Sequence, residues 1–210
     1  GQWWIGNSQR ALANNSATYN YTPSMDTYFP EWYSLYESKS GERGIFNRDA
    51  AKRQMLRFGR RDTEYLFGTN PCGESLLRPY QTCDLAEAII RSTDTTKSYL
   101  EKVKAATILA TWQSTLDEFK YLRKKWSEIE KEERLLGVSL SGVFDNPLFV
   151  DLKNSPAVLN AGRELAIQTN KEIAKALGIN QSVGVTLNKP SGTVSQLVDC
   201  ASGCHTRHSD

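Results

Sequence analysis

One succession of elements constrains the fold more than any other feature of this chain. A strand, a long helix and a second strand follow one another in its last third. Ser139–Val143 is short, β-branched in part and bounded by glycines, which favours a strand. The helix is delimited by Ser155 as a cap, Pro156 in its first turn and Gly178 after its end. Ser182–Leu187 then alternates like a second strand. Strands separated by a helix indicate a parallel α/β architecture.

The first half of the chain is predicted to hold shorter elements. Apolar spacing favours a helix over Asp26–Lys39, and a short helix is expected over Arg48–Phe58. A turn is predicted between them at Gly41–Gly44. Pro and Gly residues make a loop the best prediction for the start of Gly68–Arg78.

A second long helix is predicted between these two regions. Thr95 or Thr96 can cap it, and it is expected to end near Trp126. Helical spacing predicts one buried stripe on it, made of Leu109, Trp112, Leu116 and Phe119. The inner face of the helix after Ser155 is predicted to be Val158, Leu165, Ala166, Thr169, Ile173, Ala176 and Leu177.

Composition excludes several classes of protein. The 210 residues can bury one sizeable core and fit a single domain, 1–210, without an internal boundary. A net charge of +2 gives no support for a nucleic-acid surface, and no run approaches the ~18 apolar residues of a membrane helix. Four cysteines in a chain without a signal-peptide layout indicate cytoplasmic thiols rather than a disulfide framework. Because the chain starts at Gly1 without an initiating Met, we expect a partial domain of a longer protein.

Chemically useful side chains are concentrated in the segment Gly68–Ser75 (GTNPCGES). Asn70, Cys72 and Glu74 are two residues apart, so in an extended segment they would share one face. An amide, a sulfur and a carboxylate directed at one volume can bind, react and accept a proton. Cys72 on its own would more often be a small buried hydrophobe, and its neighbours make the catalytic interpretation the better one.

This segment resembles the catalytic loop of ribonucleotide reductases, and its Asn-Pro-Cys-Gly-Glu form is most similar to the adenosylcobalamin-dependent, class II branch. The tract from Thr96 through Gly142 resembles the single-chain triphosphate type of that branch. Three other stretches resemble the same family in the expected order. They are Ser40–Arg48, Arg134–Val143 and Lys189–Ser195. The resemblance implies an α/β fold that forms part of a ten-stranded α/β barrel, with the Cys72 segment as its central finger loop.

The resemblance also implies roles for individual residues. Cys72 would carry a thiyl radical, Glu74 would be the base on the ribose 3′-hydroxyl, and Asn70 would orient the 3′-oxygen. Cys83, eleven residues after Cys72, would be one half of the reducing dithiol. The implied cofactor is adenosylcobalamin. The implied partners are a ribonucleotide substrate, a dNTP or ATP effector in the full-length enzyme and a thioredoxin-type dithiol reductant, with no nucleic acid or membrane.

A second candidate site follows the last predicted strand. Small hydroxyl residues and a glycine there allow backbone N–H groups to reach an anion, and the family uses this segment for substrate phosphates. The candidate residues are Pro190, Ser191, Gly192, Thr193 and Ser195. The segment lacks the Gly-x4-Gly-Lys pattern of a P-loop, and a plain capping turn is the alternative.

Three alternatives stay open from the sequence. A zinc site is disfavoured because Cys72 and Cys83 are too far apart for a ligand pair, and Cys200, Cys204 and His205 form one uneven cluster, so no metal ligand is predicted. The chain could instead come from a class I reductase large subunit, whose radical originates in a partner protein. It could also be a nucleotide-binding module without turnover.

Overall fold

The computed structural model describes residues 6–39 and 44–207. The chain forms two compact units, which divide between Pro79 and Tyr80 and are described separately below. The predicted turn at Gly41–Gly44 falls almost wholly outside the described residues, as does the start of the family-like stretch Ser40–Arg48.

The first unit consists of short elements. After a 3-10 helix at Ser8–Leu12, they are β1 (Ala17–Tyr19), α1 (Met25–Ser38), β2 (Ile45–Asn47), α2 (Arg48–Phe58), β3 (Gly68–Thr69) and β4 (Leu76–Leu77). β1 pairs with β2 in parallel, and β3 pairs with β4 in an antiparallel hairpin. Both predicted helices are confirmed to within one residue. The Asn47 side chain caps α2 by accepting a hydrogen bond from the backbone N–H of Ala50.

The second unit holds the α/β arrangement. Its elements are β5 (Asp84–Ile89), α3 (Thr96–Gln113), α4 (Lys124–Glu133), β6 (Leu136–Ser141), α5 (Pro147–Val150), α6 (Ser155–Leu177) and α7 (Val194–Leu197), with a 3-10 helix at Val143–Asp145. β5 and β6 pair in parallel from Asp84↔Leu136 to Ile89↔Ser141. The α/β prediction is thus confirmed, although β5 was not predicted as a strand and β6 begins three residues before the predicted Ser139.

The predicted strand at Ser182–Leu187 is only partly formed. The backbone N–H groups of Leu136 and Val138 donate to the carbonyls of Gly184 and Val185 at 2.9 and 2.8 Å. A single parallel bridge joins Val138 to Thr186. The segment therefore runs beside β6 on the edge away from β5, without a full ladder.

Helix α3 packs on β5 and β6, and α6 packs on α3. Side chains at even positions of the strands, such as Ala88 and Val138, face these helices and form the core. The facing helix positions are small, because α6 approaches α3 closely at Gly162, where an added Cβ would lie 1.9 Å from the Tyr99 hydroxyl oxygen. The Tyr99 ring meets Phe149 edge-on at 5.2 Å between centroids.

The predicted long helix is divided, and its predicted buried stripe is wrong. α3 begins after Thr95, which forms a capping box with Ser98, but it ends at Gln113 rather than near Trp126. The hydroxyls of Thr107, Thr111 and Ser114 donate to carbonyls three or four residues earlier, and such bonds compete with regular helix geometry.

The side of α3 that is buried is the one opposite to the prediction. Leu109, Trp112 and Leu116 are 59%, 54% and 74% exposed, and Phe119 lies beyond the helix. The buried positions are Tyr99, Val103, Ala106, Thr107, Ala110 and Thr111. The prediction followed residue size, whereas the close contact with α6 selects small side chains.

The later helix is predicted more accurately. Pro156 lies in its first turn, and Gly178 ends it with φ 69°. The capping position belongs to Asn154 rather than to Ser155, which is the first helical residue and is buried. On the inner face Ala166 and Thr169 are buried as predicted, and Val158, Leu165 and Ile173 are half-buried. Ala176 and Leu177 are exposed, because the buried face runs through Asn170 and Ala174.

Candidate active site

The Cys72 segment is the connection of the β3–β4 hairpin in the first unit. The backbone N–H of Gly73 donates to the carbonyl of Asn70 at 3.0 Å, which closes a turn across four residues. Asn70 Oδ1 accepts a hydrogen bond from the backbone N–H of Ser75 at 3.0 Å. Gly73 adopts φ 84°, a left-handed conformation that a side chain would strain. The predicted tight loop is therefore present.

The turn corrects one part of the sequence argument. Side chains alternate strictly only in an extended segment, and this chain reverses direction between Asn70 and Gly73. The prediction that Asn70, Cys72 and Glu74 share one face of an extended segment is therefore wrong. The three residues are near one another because they belong to one short loop. Asn14 supports the loop from outside by donating to the carbonyl of Pro71 at 3.2 Å.

Cys72 and Glu74 differ in their surroundings. The Cys72 thiol is free and exposed near the tip of the loop. Glu74 is half-buried, and its Oε2 atom is buried without a hydrogen-bond partner among the described residues. A buried carboxylate oxygen without a donor is costly unless a ligand or a proton satisfies it. The loop thus offers an accessible sulfur two residues from a carboxylate that can accept a proton.

The base of the hairpin is held by arginines. Arg61 Nη1 donates to the carbonyl of Leu76 at 2.7 Å, and its guanidinium lies 4.6 Å from the centre of the Phe67 ring. Arg48 Nε donates to the carbonyl of Phe67. These contacts fix the strands that carry the loop, whereas sequence reasoning had assigned the arginines no part in the site.

Cys83 lies in the second unit, directly before β5. Its thiol is half-buried and forms no disulfide bond within the described residues. Its neighbour Asp84 joins the sheet through a backbone hydrogen bond to Leu135 at 2.9 Å. The side chains around it form a buried acidic group with α4. Burial raises the pKa of Glu130 to about 7, and burial likewise raises the pKa of Asp84. The sequence pattern could not have identified this group, because glutamate is usually a surface residue and nothing in the spacing around Glu130 marks it as buried.

The candidate phosphate segment forms a compact turn. The backbone N–H of Ser191 donates to Ser202 Oγ at 2.9 Å, and that of Ser195 donates to Ser191 Oγ at 3.1 Å. Both serines are buried and support the turn internally. Pro190, Gly192 and Thr193 are exposed. Only these three of the five predicted residues are open to a ligand at the surface of the turn.

A polar cavity of about 560 Å³ adjoins this turn. Pro190 and Ser195 line it together with His205 and Arg207. Arg207 already binds the carboxylates of Asp145 and Asp199, at 2.9 and 2.7 Å.

Within residues 6–39 and 44–207, no three His, Cys, Asp or Glu side chains are grouped so that they could hold a metal ion. Over the same ranges, no helix has both the length and the apolar character needed to cross a membrane.

Comparison with known proteins gives a consistent set of relatives, although no family model matches the chain. An adenosylcobalamin-dependent ribonucleoside-triphosphate reductase of Lactobacillus delbrueckii subsp. bulgaricus is 25% identical over 94% of this chain and 30% of that protein. Its Lactobacillus acidophilus counterpart is 28% identical over 96% of this chain and 29% of that protein. A probable adenosylcobalamin-dependent ribonucleoside-triphosphate reductase of Dictyostelium discoideum is 30% identical over 66% of this chain and 18% of that protein.

A solved structure supports the fold. The crystal structure of a B12-dependent, class II ribonucleotide reductase superposes with a TM-score of 0.53 at 24% identity, over 66% of this chain and 22% of that one. The chain spans about 30% of the length of the curated relatives it matches. These matches confirm the resemblance on which the sequence analysis relied: over nearly its whole length, the chain is similar in sequence to part of the adenosylcobalamin-dependent ribonucleoside-triphosphate reductases.

Proposed function

We propose that the complete protein containing this chain reduces ribonucleotides, in the triphosphate form, to 2′-deoxyribonucleotides by a thiyl-radical mechanism. The observation that carries the proposal is the β3–β4 hairpin, which presents the exposed Cys72 thiol two residues from Glu74, whose buried Oε2 atom has no hydrogen-bond partner among the described residues. The names of the relatives supply the reaction and the substrate class.

Each residue of the hairpin has a defined part in the proposed chemistry. A sulfur radical on Cys72 removes the 3′-hydrogen atom of the ribose, and Glu74 accepts the proton of the 3′-hydroxyl. The 2′-hydroxyl then leaves as water, which an unactivated carbon would not allow. Asn70 orients the 3′-oxygen through its side-chain amide. At the end of the cycle the Cys72 thiol returns the hydrogen atom to the 3′-carbon and recovers its radical.

Reduction of the sugar consumes two electrons and two protons. We propose Cys83 as one of the two thiols that supply them, and its half-buried position directly before β5 is compatible with this role. The second thiol is expected upstream of the segment matched here, as in the family resemblance. The resulting disulfide is reduced by a thioredoxin-type dithiol, so that ribonucleotide and dithiol become deoxyribonucleotide, disulfide and water.

The radical in this proposal originates from adenosylcobalamin, which supplies a homolytically cleaved bond when it is bound. The exposure of Cys72 at a loop tip fits this assignment, because a bulky cofactor needs an accessible thiol. We therefore propose that the Cys72 thiol is the group that would lose its hydrogen atom when the radical is generated.

The proposal also covers the binding of the substrate phosphates and the fold of the complete protein. We assign the substrate phosphates to the turn after Lys189, with Gly192 and Thr193 exposed to the ligand and Ser191 and Ser195 holding the turn. A dNTP or ATP effector is expected to act elsewhere in the complete enzyme. The parallel strands of the second unit would belong to a ten-stranded α/β barrel, of which residues 1–210 would be one partial domain.

Replacement of Cys72 tests the radical assignment. In the complete protein, Cys72→Ser is expected to abolish dNTP formation with adenosylcobalamin and a dithiol, because a hydroxyl cannot carry the required radical. Binding of the ribonucleotide, measured by equilibrium dialysis, is expected to stay within about twofold of the wild-type value, since the change removes no phosphate contact. Cys204→Ser is the matched control, because Cys204 is also an exposed free thiol.

Two outcomes of this experiment distinguish a radical on Cys72 from a radical elsewhere. Full activity in the Cys204→Ser variant together with none in Cys72→Ser supports the assignment. Continued dNTP formation by Cys72→Ser would show that the radical does not reside on this sulfur, and the proposed mechanism would then be abandoned.

A further inference from the structure

The residues on both sides of Cys83 are bound to α4. Before it, Thr82 Oγ1 donates a hydrogen bond to Glu130 Oε2. After it, the carboxyl group of Asp84 lies in hydrogen-bonding contact with that of Glu130. Because Glu130 is only 2% exposed, one buried side chain holds both neighbours of the thiol. The Asp84 backbone also belongs to the β5–β6 ladder, which fixes the chain at this point.

A second contact extends the attachment. Gln81 Nε2 donates to Glu133 Oε2 at 2.6 Å, and Glu133 is 3% exposed. Glu133 lies three residues after Glu130, so both carboxylates project from the same side of α4. Three of the residues that bracket Cys83 are therefore held by one helix.

The Asp84–Glu130 contact requires a proton. Asp84 Oδ2 and Glu130 Oε1 are both buried, and neither has a hydrogen-bond donor among the described residues. Two ionised carboxylates in contact would repel each other strongly in a buried site. One proton shared between the two groups converts this repulsion into a hydrogen bond, so the pair titrates as a unit.

Charged neighbours do not replace that proton. The Arg134 guanidinium attracts both carboxylates, but its Nη2 binds Asp117 at 3.0 Å and its Nη1 binds the carbonyl of Ser114. Lys131 also binds Asp117, at 3.3 Å.

From α3, the side chain of Gln113 at the end of the helix favours the ionised form of Asp84 and lowers its pKa, but burial outweighs this effect. Glu133, bound to Gln81, adds a further acidic side chain on the α4 side. The pair thus faces one arginine that is already shared and an extra carboxylate.

The direction of the thiol follows from these attachments. Successive side chains of an extended segment point to opposite faces. With Thr82 and Asp84 both bound to Glu130 of α4, this alternation directs Cys83, which lies between them, to the other side of the chain. Release of either neighbour would loosen the backbone that carries the thiol.

We propose that the Asp84–Glu130 pair, together with Thr82, is a proton-dependent clamp that positions Cys83 for the dithiol step. Asp84 and Glu130 are positioning residues in this proposal, which rests on the proposed role of Cys83. While the pair holds its proton, the clamp is closed. Once the proton is lost, two buried negative charges repel and the residues around Cys83 loosen. Because the pKa of Glu130 is raised to about 7, this change falls within the range of ordinary assay conditions.

Hydrogen–deuterium exchange of the complete protein tests the clamp directly. Exchange of a peptide covering residues 81–86 is measured at pH 6.0 and pH 8.5 and corrected for the intrinsic pH dependence of amide exchange. In the wild type, the corrected rate is expected to rise by about tenfold or more, as the energy of one lost proton implies. In Glu130→Gln it is expected to be equal at both pH values, since the neutral amide still bonds Thr82 and Asp84 and cannot ionise.

A second glutamate of α4 provides the control variant. Glu128→Gln removes an exposed carboxylate of α4 and is expected to behave like the wild type. If the wild-type exchange at residues 81–86 is independent of pH after correction, or if Glu130→Gln retains the full rise, the clamp is refuted.

A turnover measurement distinguishes the clamp from the proposed role of Cys83. Steady-state dNTP formation driven by a dithiol is expected to fall between pH 6 and 8.5 in the wild type more steeply than in Glu130→Gln, whereas Cys83→Ser should stop after one turnover. Undiminished turnover by Cys83→Ser would refute the role of the thiol, even if the exchange result stands. Identical pH profiles of the wild type and Glu130→Gln would refute the positioning role, even if Cys83 is essential.

Discussion

Gly162 is the position where one added carbon matters most. An added Cβ would lie 1.9 Å from the hydroxyl oxygen of Tyr99, a ring that is 2% exposed and cannot move outward freely. Alanine is preferred over glycine in a helix by about 1 kcal/mol, whereas overpacking a dense core costs roughly 1–3 kcal/mol. The clash is therefore expected to exceed the gain in helix propensity.

Gly162→Ala is accordingly expected to lower the free energy of unfolding by up to about 2 kcal/mol, the difference between these two effects. Urea denaturation followed by circular dichroism measures it. Gly192→Ala is the matched control, because no atom lies within 4 Å of an added Cβ there. A Gly162→Ala protein as stable as the wild type would mean that Tyr99 has room to shift.

The individual residues of the candidate loop show what the sequence could and could not predict. Pro71 and Gly73 predicted a tight loop correctly, because their conformational preferences are local. The internal role of the Asn70 side chain, which accepts from the N–H of Ser75, was not predicted, since it depends on how the turn closes. The support from Asn14 is 57 residues away in sequence, and no local pattern could indicate it.

At the scale of elements, α3 shows why hydrophobicity misled the prediction. Leu109, Trp112 and Leu116 recur with helical spacing, yet they are exposed. The buried face is mostly alanine and threonine, with Tyr99 and Val103 near the start of the helix. Close contact between two helices excludes large side chains. A buried hydrogen bond from Asn170 to Thr111, at 3.1 Å, joins the two helices and adds to the polar character of the contact. Spacing could predict that a helix exists here, but not which face is buried.

Two neighbouring positions of α3 turn this observation into a prediction. Leu109→Ala shortens a side chain that is 59% exposed, so the free energy of unfolding is expected to change by less than about 1 kcal/mol. Ala110→Leu forces a larger side chain into a site with 0% exposure and is expected to cost about 1–3 kcal/mol or more. Chemical denaturation of both variants provides the comparison. A larger loss for Leu109→Ala than for Ala110→Leu would contradict the packing of α3 against α6.

At the scale of the whole molecule, the order of strands and helices in the second unit was largely predictable. Capping residues and glycines are local signals, and they placed α6 and the parallel arrangement correctly. β5 was missed because Asp84 and Glu87 interrupt its apolar pattern. Those acidic side chains are accommodated by partners far along the chain, Glu130 for the first and Lys189 for the second. Long-range polar contacts, rather than propensity, decide this strand.

The same buried acid pair should control how the stability of the folded chain depends on pH. The folded state keeps the proton of Glu130 up to pH about 7, whereas the unfolded state releases it near the ordinary value of 4.5. Between these values the folded state binds more protons than the unfolded state, so the free energy of unfolding falls as the pH rises, by up to about 1.4 kcal/mol per pH unit. The raised pKa of Asp84 acts in the same direction. Asp145 affects the free energy of unfolding only at lower pH, because the hydrogen bond from Arg207 lowers its pKa below 3.8.

Glu130→Gln removes this titration and keeps a side chain of the same shape. Urea denaturation from pH 5.0 to pH 7.5 is expected to show the wild type losing stability relative to Glu130→Gln, most steeply below pH 7 and with little further change above it. Glu128→Gln, an exposed change on the same helix, should follow the wild type. Parallel curves for the wild type and Glu130→Gln would mean that the carboxyl group is ionised in the folded protein, and the shared proton would have to be given up.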